Sequence, residues 1–193
     1  MKPSIRIVAV VGNPGALSRT KVLDQAITDR LVAALAPHLG VQLQVLEIAV
    51  LAPSIGSVSN ARDLPPEGAA ALQAIETADL IVAATPVYKG SYTGLFKHLF
   101  DLLDPEALVG RPVLLAANGG SDRHALVVDH QVRPLFAFFR ALTLPSAVYA
   151  AESDFDGYAL RSGPLLSRID EAVRQAVHQF IREPVAVEQR LAA

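Results

Sequence analysis

Apolar positions along this chain follow two alternating rhythms. IRIVAVVG (Ile5–Gly12), ADLIVAATP (Ala78–Pro86) and RPVLLAANGGS (Arg111–Ser121) are short, nearly unbroken apolar runs ending at glycine, proline or serine. Runs of that length between turn residues predict strands buried on both faces, as in a parallel sheet. Between them the spacing becomes helical. Leu23, Ile27, Leu31, Ala34 and Leu35 form one stripe, which stops near Pro37 and Gly40. A short helix is predicted from about Pro66 to Glu76, and another after Thr93, carrying Leu95, Phe96, Leu99, Phe100 and Leu103. The segment from about Arg123 to Ala141 reads as a long helix, apolar almost all round and interrupted by Pro134. A final stripe runs through Leu165, Leu166, Ile169, Val173, Ala176, Val177 and Phe180.

Three segments break these rhythms. VQLQVLEI (Val41–Ile48) alternates cleanly, which predicts a strand near a sheet edge, and LPSAVYA supplies a last short strand. LAPSIGSVSNARDLPPEG (Leu51–Gly68) is rich in Pro, Gly and Ser and reads as a long loop. About five strands alternating with helices predict an α/β three-layer sandwich, a five-stranded parallel sheet with helices on both faces. The right-handed crossover rule leaves few topologies, of which the order 2-1-3-4-5 is the economical one. With no repeat and no linker, one domain is expected over residues 1–183, followed by a loose tail, 184–193.

Composition narrows the function. The 193 residues, 51% hydrophobic, can bury a sizeable core. A net charge of −2 leaves no basic footprint for nucleic acid. No window approaches the roughly 18 apolar residues of a membrane span, and the N-terminus reads as a strand rather than a leader, so the cytoplasm is expected. Cysteine is absent, which excludes disulfides and thiolate chemistry. Methionine stands only at position 1. Drift toward Ala, Leu and Val explains that, and so does economy of sulfur.

Ligands in such sheets sit beyond the carboxyl ends of the strands. Three unusual loops are due there. In GNPGALSRTK (Gly12–Lys21) a helix opens directly after the first strand, with Asn13, Ser18, Thr20 and Arg19 as donors, a pattern suited to a phosphate. It is neither a Walker A loop nor a dinucleotide fingerprint, and Ser18 as a plain helix cap is the simpler alternative. In TPVYKGSYTG, Pro86 begins the loop, Val87 and Tyr88 make an apolar wall, Gly90 permits close backbone approach, and Tyr88 and Tyr92 can pack on a planar heterocycle, cover the sheet edge or lie in a subunit contact. In NGGS (Asn118–Ser121) two glycines allow positive φ beside a ligand. Together, the loops suit a phosphorylated planar ligand. The acidic Glu152, Asp154 and Asp156 read as a solvated loop rather than a metal cluster, having no histidine at ligand spacing.

These motifs resemble those of the NAD(P)H-dependent FMN reductases with a flavodoxin-like fold. The first loop is similar to that family's Gly-Ser-Pro…Ser-Arg-Ser pattern, with Asn13 for the first serine and Thr20 for the last. TPVYKGSYTGLFKHLFDLL and NGG also match, over a likeness running from Ile5 to about Ile181. The branch it most resembles comprises the reductase components of two-component alkanesulfonate and methanesulfonate monooxygenase systems. The resemblance implies that Asn13, Ser18, Arg19 and Thr20 hold the FMN phosphate. It implies that Pro86, Val87, Tyr88 and Lys89 line the ring, with Gly119, Gly120 and Ser121 at its pyrimidine edge. It further implies loosely bound or substrate FMN, reduced by NADH or NADPH with NADH favoured, and FMNH2 delivered to a monooxygenase. A sulfonate-scavenging role would account for the missing sulfur residues.

In that branch the fourth long helix carries a π-bulge at a subunit contact, which here falls at His130. His130 is the one candidate catalytic group, set against a histidine satisfied between helices. The many apolar faces of the 126–142 segment imply an oligomer, and the resemblance implies a homodimer or homotetramer with flavin sites near the subunit contact. Two other readings remain open: a quinone or azo reductase that keeps FMN bound, and a non-enzymatic electron carrier, which the small net charge disfavours. A nucleotide or phosphate module without redox activity is made less attractive by the aromatic turn.

Overall fold

The computed structural model describes residues 2–15, 17–161 and 163–181. β1 (Ser4–Val11), β2 (Gly40–Glu47), β3 (Leu80–Pro86) and β4 (Pro112–Gly119) run parallel in the order β2-β1-β3-β4. β5 (Leu142–Thr143) and β6 (Val148–Ala151) then both pair with β4, so the fifth position of the sheet holds a strand split in two. Allowing for that split, this is the flavodoxin-like 2-1-3-4-5 order. β2 lies at the edge, as its alternation predicted.

Side chains of successive strand residues point to opposite faces, so each strand feeds two cores. Ile5, Ile7 and Ala9 of β1 pack with Leu23, Ile27 and Leu31 of α1 (Arg19–Leu35) and with Ile169 and Val173 of α6 (Gly163–Val177). Val8 and Val10 face the other way. They join Ile75 of α3 (Pro66–Thr77), Phe96 and Phe100 of α4 (Gly94–Asp101) and Phe136 of α5 (Arg133–Phe138). Phe96, Phe100 and Phe136 form an aromatic chain with successive centroids 4.9 Å apart.

Three segments differ from expectation. The predicted Leu51–Gly68 loop begins inside α2 (Ile48–Ile55) and later makes a 3-10 turn at Ala61–Asp63. Ile48, Leu51 and Ile55 are buried at helical spacing, and that stripe outweighs the hydrogen bond Pro53 cannot donate. The predicted Arg123–Ala141 helix is three pieces: a 3-10 turn at Asp122–His124, a π-helix at Val128–Val132, and α5. After β6, a two-stranded hairpin, β7 (Phe155–Asp156) and β8 (Ala159–Leu160), stands where a solvated loop was read. The expected tail, 184–193, lies outside the described residues.

Candidate functional site

The loops leaving β1, β3 and β4 meet at the carboxyl edge of the sheet and are joined by hydrogen bonds. Gly12 N donates to Ala84 O at 2.7 Å, and Thr93 Oγ1 donates to Gly12 O at 2.7 Å. Gly12 is glycine because of this approach: a Cβ there would press on Phe96 and on the Ala84 carbonyl. Asn118 binds both other loops. Its backbone carbonyl accepts from Val87 N at 2.8 Å, and its side-chain oxygen accepts from Thr20 Oγ1 at 2.6 Å.

In the first loop, Ser18 caps α1, its hydroxyl accepting from Lys21 N at 3.1 Å. Buried Asn13 donates to Gly15 O. Arg19 is held toward the β7–β8 hairpin: Nη1 meets Glu152 Oε1 at 2.8 Å, and Nε donates to Gly157 O at 3.1 Å. Its guanidinium also lies 5.7 Å from the Phe155 ring centroid. The first turn of α1 contains no acidic residue, and Glu152 and Glu47 pair with the side chains of Arg19 and Lys21.

In the second loop, Tyr88 N donates to Ser91 O at 2.8 Å and Ser91 N returns a bond to Tyr88 O at 3.2 Å. Lys89 (φ 50°) and Gly90 (φ 85°) form the turn between them, both at positive φ as a two-residue type I′ hairpin requires. Tyr92 turns inward and packs near Phe96, with ring centroids 6.1 Å apart. Tyr88 is 51% exposed and keeps a free face. The two tyrosines thus divide the roles that the sequence offered to both.

In the third loop neither Gly119 nor Gly120 takes the positive φ read from the glycine pair; among the described glycines that conformation falls to Gly90, Gly110 and Gly157. Gly119 is needed because a Cβ would overlap the Tyr149 hydroxyl. That hydroxyl donates to Ser121 O at 2.6 Å and holds the loop. Burial first, then Asp122 and Asp154, raises the Tyr149 pKa above its ordinary value, so the phenol keeps its proton. Gly120 is different: a Cβ there would meet nothing within 4 Å. Exposed Tyr88, half-buried Val87, open Gly120 and the α1 N-terminus thus lie along one edge of the sheet as a shelf.

Two concavities, of about 650 and 600 Å³, lie elsewhere. The first runs between α1 and α6. The second lies between α4 and α5, and exposed His130 lines it together with Pro134 and Phe138. His130 sits in the π-helix, as the resemblance implied, but it borders this concavity rather than the shelf.

Several residues escaped sequence reasoning. Thr93 carries a readable signal, a hydroxyl residue just before a helical stripe. The roles of Asn118, Tyr149 and Gln131 rest on contacts across 98, 28 and 40 residues of chain, which no local pattern encodes.

The model of the NADPH-dependent FMN reductase family matches residues 5–156. The chain belongs to that family. It is 51% identical over 180 residues to the NADH-dependent FMN reductase SfnF of Pseudomonas fluorescens, covering 93% of this chain and 94% of that one. It is 49% identical to the FMN reductase (NADPH) of Pseudomonas aeruginosa, covering 93% and 95%. The X-ray structure of an oxidoreductase from Corynebacterium diphtheriae matches with a TM-score of 0.84 at 32% identity, over 93% of this chain and 98% of that one. Membership in the FMN reductase family makes the chain an oxidoreductase whose partners in the reaction are FMN and NAD(P)H.

Proposed function

We propose that this chain reduces free FMN, favouring NADH, and supplies FMNH2 to a flavin-dependent monooxygenase that releases sulfur from sulfonates. The observation that carries this reading is the shelf: three loops locked together by Asn118 and Thr93, yet open at Gly120 and Tyr88. A rigid site open on one side suits a flavin that enters and leaves.

In this reading the α1 N-terminus with Asn13, Ser18, Arg19 and Thr20 receives the phosphate at a helix start, with Thr20 Oγ1 and Arg19 turning to it from Asn118 and Glu152. Pro86, Val87, Tyr88 and Lys89 receive the ring, and Gly119, Gly120 and Ser121 receive its pyrimidine edge. Bound FMN supplies the redox chemistry by accepting a hydride from the reduced nicotinamide. The protein therefore needs no acid–base pair. Its residues orient the two rings and hold the phosphate end. The absence of cysteine supports the sulfur-scavenging role, and a reduced-nicotinamide substrate fits a cytoplasmic reaction. Among the described residues, no helix is long and apolar enough to cross a membrane.

The chain would assemble as a homodimer or homotetramer through the face of α4, the π-helix and α5, where Leu126 is 67% and Phe138 68% exposed. Relatives named for NADH and for NADPH stand at 51% and 49% identity, so the coenzyme is chosen by assay. The test is oxidation of each nicotinamide by desalted protein with and without FMN. Colourless protein, active only with added micromolar FMN, is the expected result. Yellow protein that reduces quinones or azo dyes without added FMN would overturn it in favour of a reductase that keeps its flavin.

A further inference from the structure

We propose that Gln131 is a positioning residue for the flavin ring, acting through Ser91 on the Lys89–Gly90 turn; this rests on the reading of the shelf as the flavin site. Tyr88, Lys89 and Gly90 are all exposed, and a Cβ on Gly90 would meet nothing within 4 Å. Lys89 also holds a positive φ, which a residue with a Cβ disfavours. A turn with nothing packed on its tip needs an anchor at its base. Ser91 Oγ provides one by donating to Gln131 Oε1 at 3.0 Å, in a half-buried position.

The π-helix explains how Gln131 comes to be there. In an α-helix, positions 128, 131 and 132 share one face. Here Arg133 N donates to Val128 O, five residues back, so the turn carries one residue more. Val128 and Val132 both stay buried, while the extra residue swings Gln131 out of their face and beside the Tyr88–Ser91 turn. Pro134 favours this arrangement because it has no N–H to give the His130 carbonyl. The wide helical turn is thereby tied to the loop that receives the ring. The loop is ordered before the flavin arrives, so less freedom is lost on binding.

FMN titration, followed by quenching of flavin fluorescence, and steady-state kinetics on the full chain test this. Gln131→Leu should raise the Kd and KM for FMN about fivefold, the worth of one hydrogen bond, with kcat changed less than about twofold. Ser91→Ala should do the same, and it carries the test if the first variant fails to fold. The double variant should be no worse than either single one, because both remove one interaction. Gln131→Glu keeps the acceptor and should stay near wild type.

Unchanged FMN affinity in Gln131→Leu, or losses that multiply in the double variant, would overturn the proposal. So would an altered elution volume without altered affinity, which would place Gln131 in a subunit contact. Gly90→Val, which forbids the turn, separates the two levels. If it leaves FMN affinity unchanged, the ring is not at this turn and the reading of the site falls. If it weakens FMN while Gln131→Leu does not, only the role of Gln131 falls.

Discussion

Asp24, on the second turn of α1, is 2% exposed, and its Oδ1 has no hydrogen-bond partner. Burial first, and the charge of Glu47 second, push its pKa from 3.8 up to about 7. The folded protein therefore holds a proton that the unfolded chain releases. Stability from this group is complete below about pH 4 and is lost as the pH rises to about 7. Asp24→Asn, which cannot ionise, should be more stable than wild type at pH 8, by on the order of 4 kcal/mol. The gain should vanish near pH 4, and urea unfolding at the two pH values measures it. Gly119 poses a steric problem instead. Gly119→Ala should cost about 1–3 kcal/mol by driving the Tyr149 hydroxyl off Ser121. In a Tyr149→Phe background, where that hydroxyl is gone, the same substitution should cost clearly less. A double-mutant cycle from thermal unfolding reads the difference directly.

At the scale of elements, Thr93 joins an end of α4 to the first loop. Its hydroxyl accepts from Phe96 N at 3.3 Å as the helix cap and donates to Gly12 O at 2.7 Å. Thr93→Ala should destabilise by about 1–2 kcal/mol, and Thr93→Ser should recover most of it. Weaker FMN binding should accompany the alanine variant alone, since the cap also fixes the first loop. The boundary errors of the sequence reading also belong to this scale. Pro53 and the nearby Gly, Ser and Pro read as a loop, yet the Ile48, Leu51 and Ile55 stripe found a core and made α2. The break of the fifth strand into β5 and β6 falls at Leu144–Ala147, where Pro145 has no N–H for a ladder.

For the whole molecule, the notable surface is the α4–α5 face. Leu126 and Phe138 are large apolar residues left in water, and Phe138 lines a concavity of about 600 Å³. If the proposed subunit contact uses this face, Phe138→Glu should reduce the assembled mass seen by light scattering, because a charge there would have to be buried. Lys21→Ala should change stability by about 1 kcal/mol or less, since its pair with Glu47 is partly open to water.

The order of elements, the parallel sheet and the three loops were written in local patterns: unbroken apolar runs, helical stripes, and glycines at strand ends. Those patterns are short in range, and burying both faces of a strand demands them. Also legible, through likeness of motifs, was the family. The chain alone could not say which tyrosine turns inward, that Gly119 serves Tyr149, or that Asn118 joins three loops. Nor could it show Arg19 reaching across 133 residues to Glu152, or Gln131 meeting Ser91. Each of these depends on side chains brought together by the crossovers of the sheet. A hydrogen bond between distant residues leaves no periodic trace in sequence, and only the tertiary structure decides it.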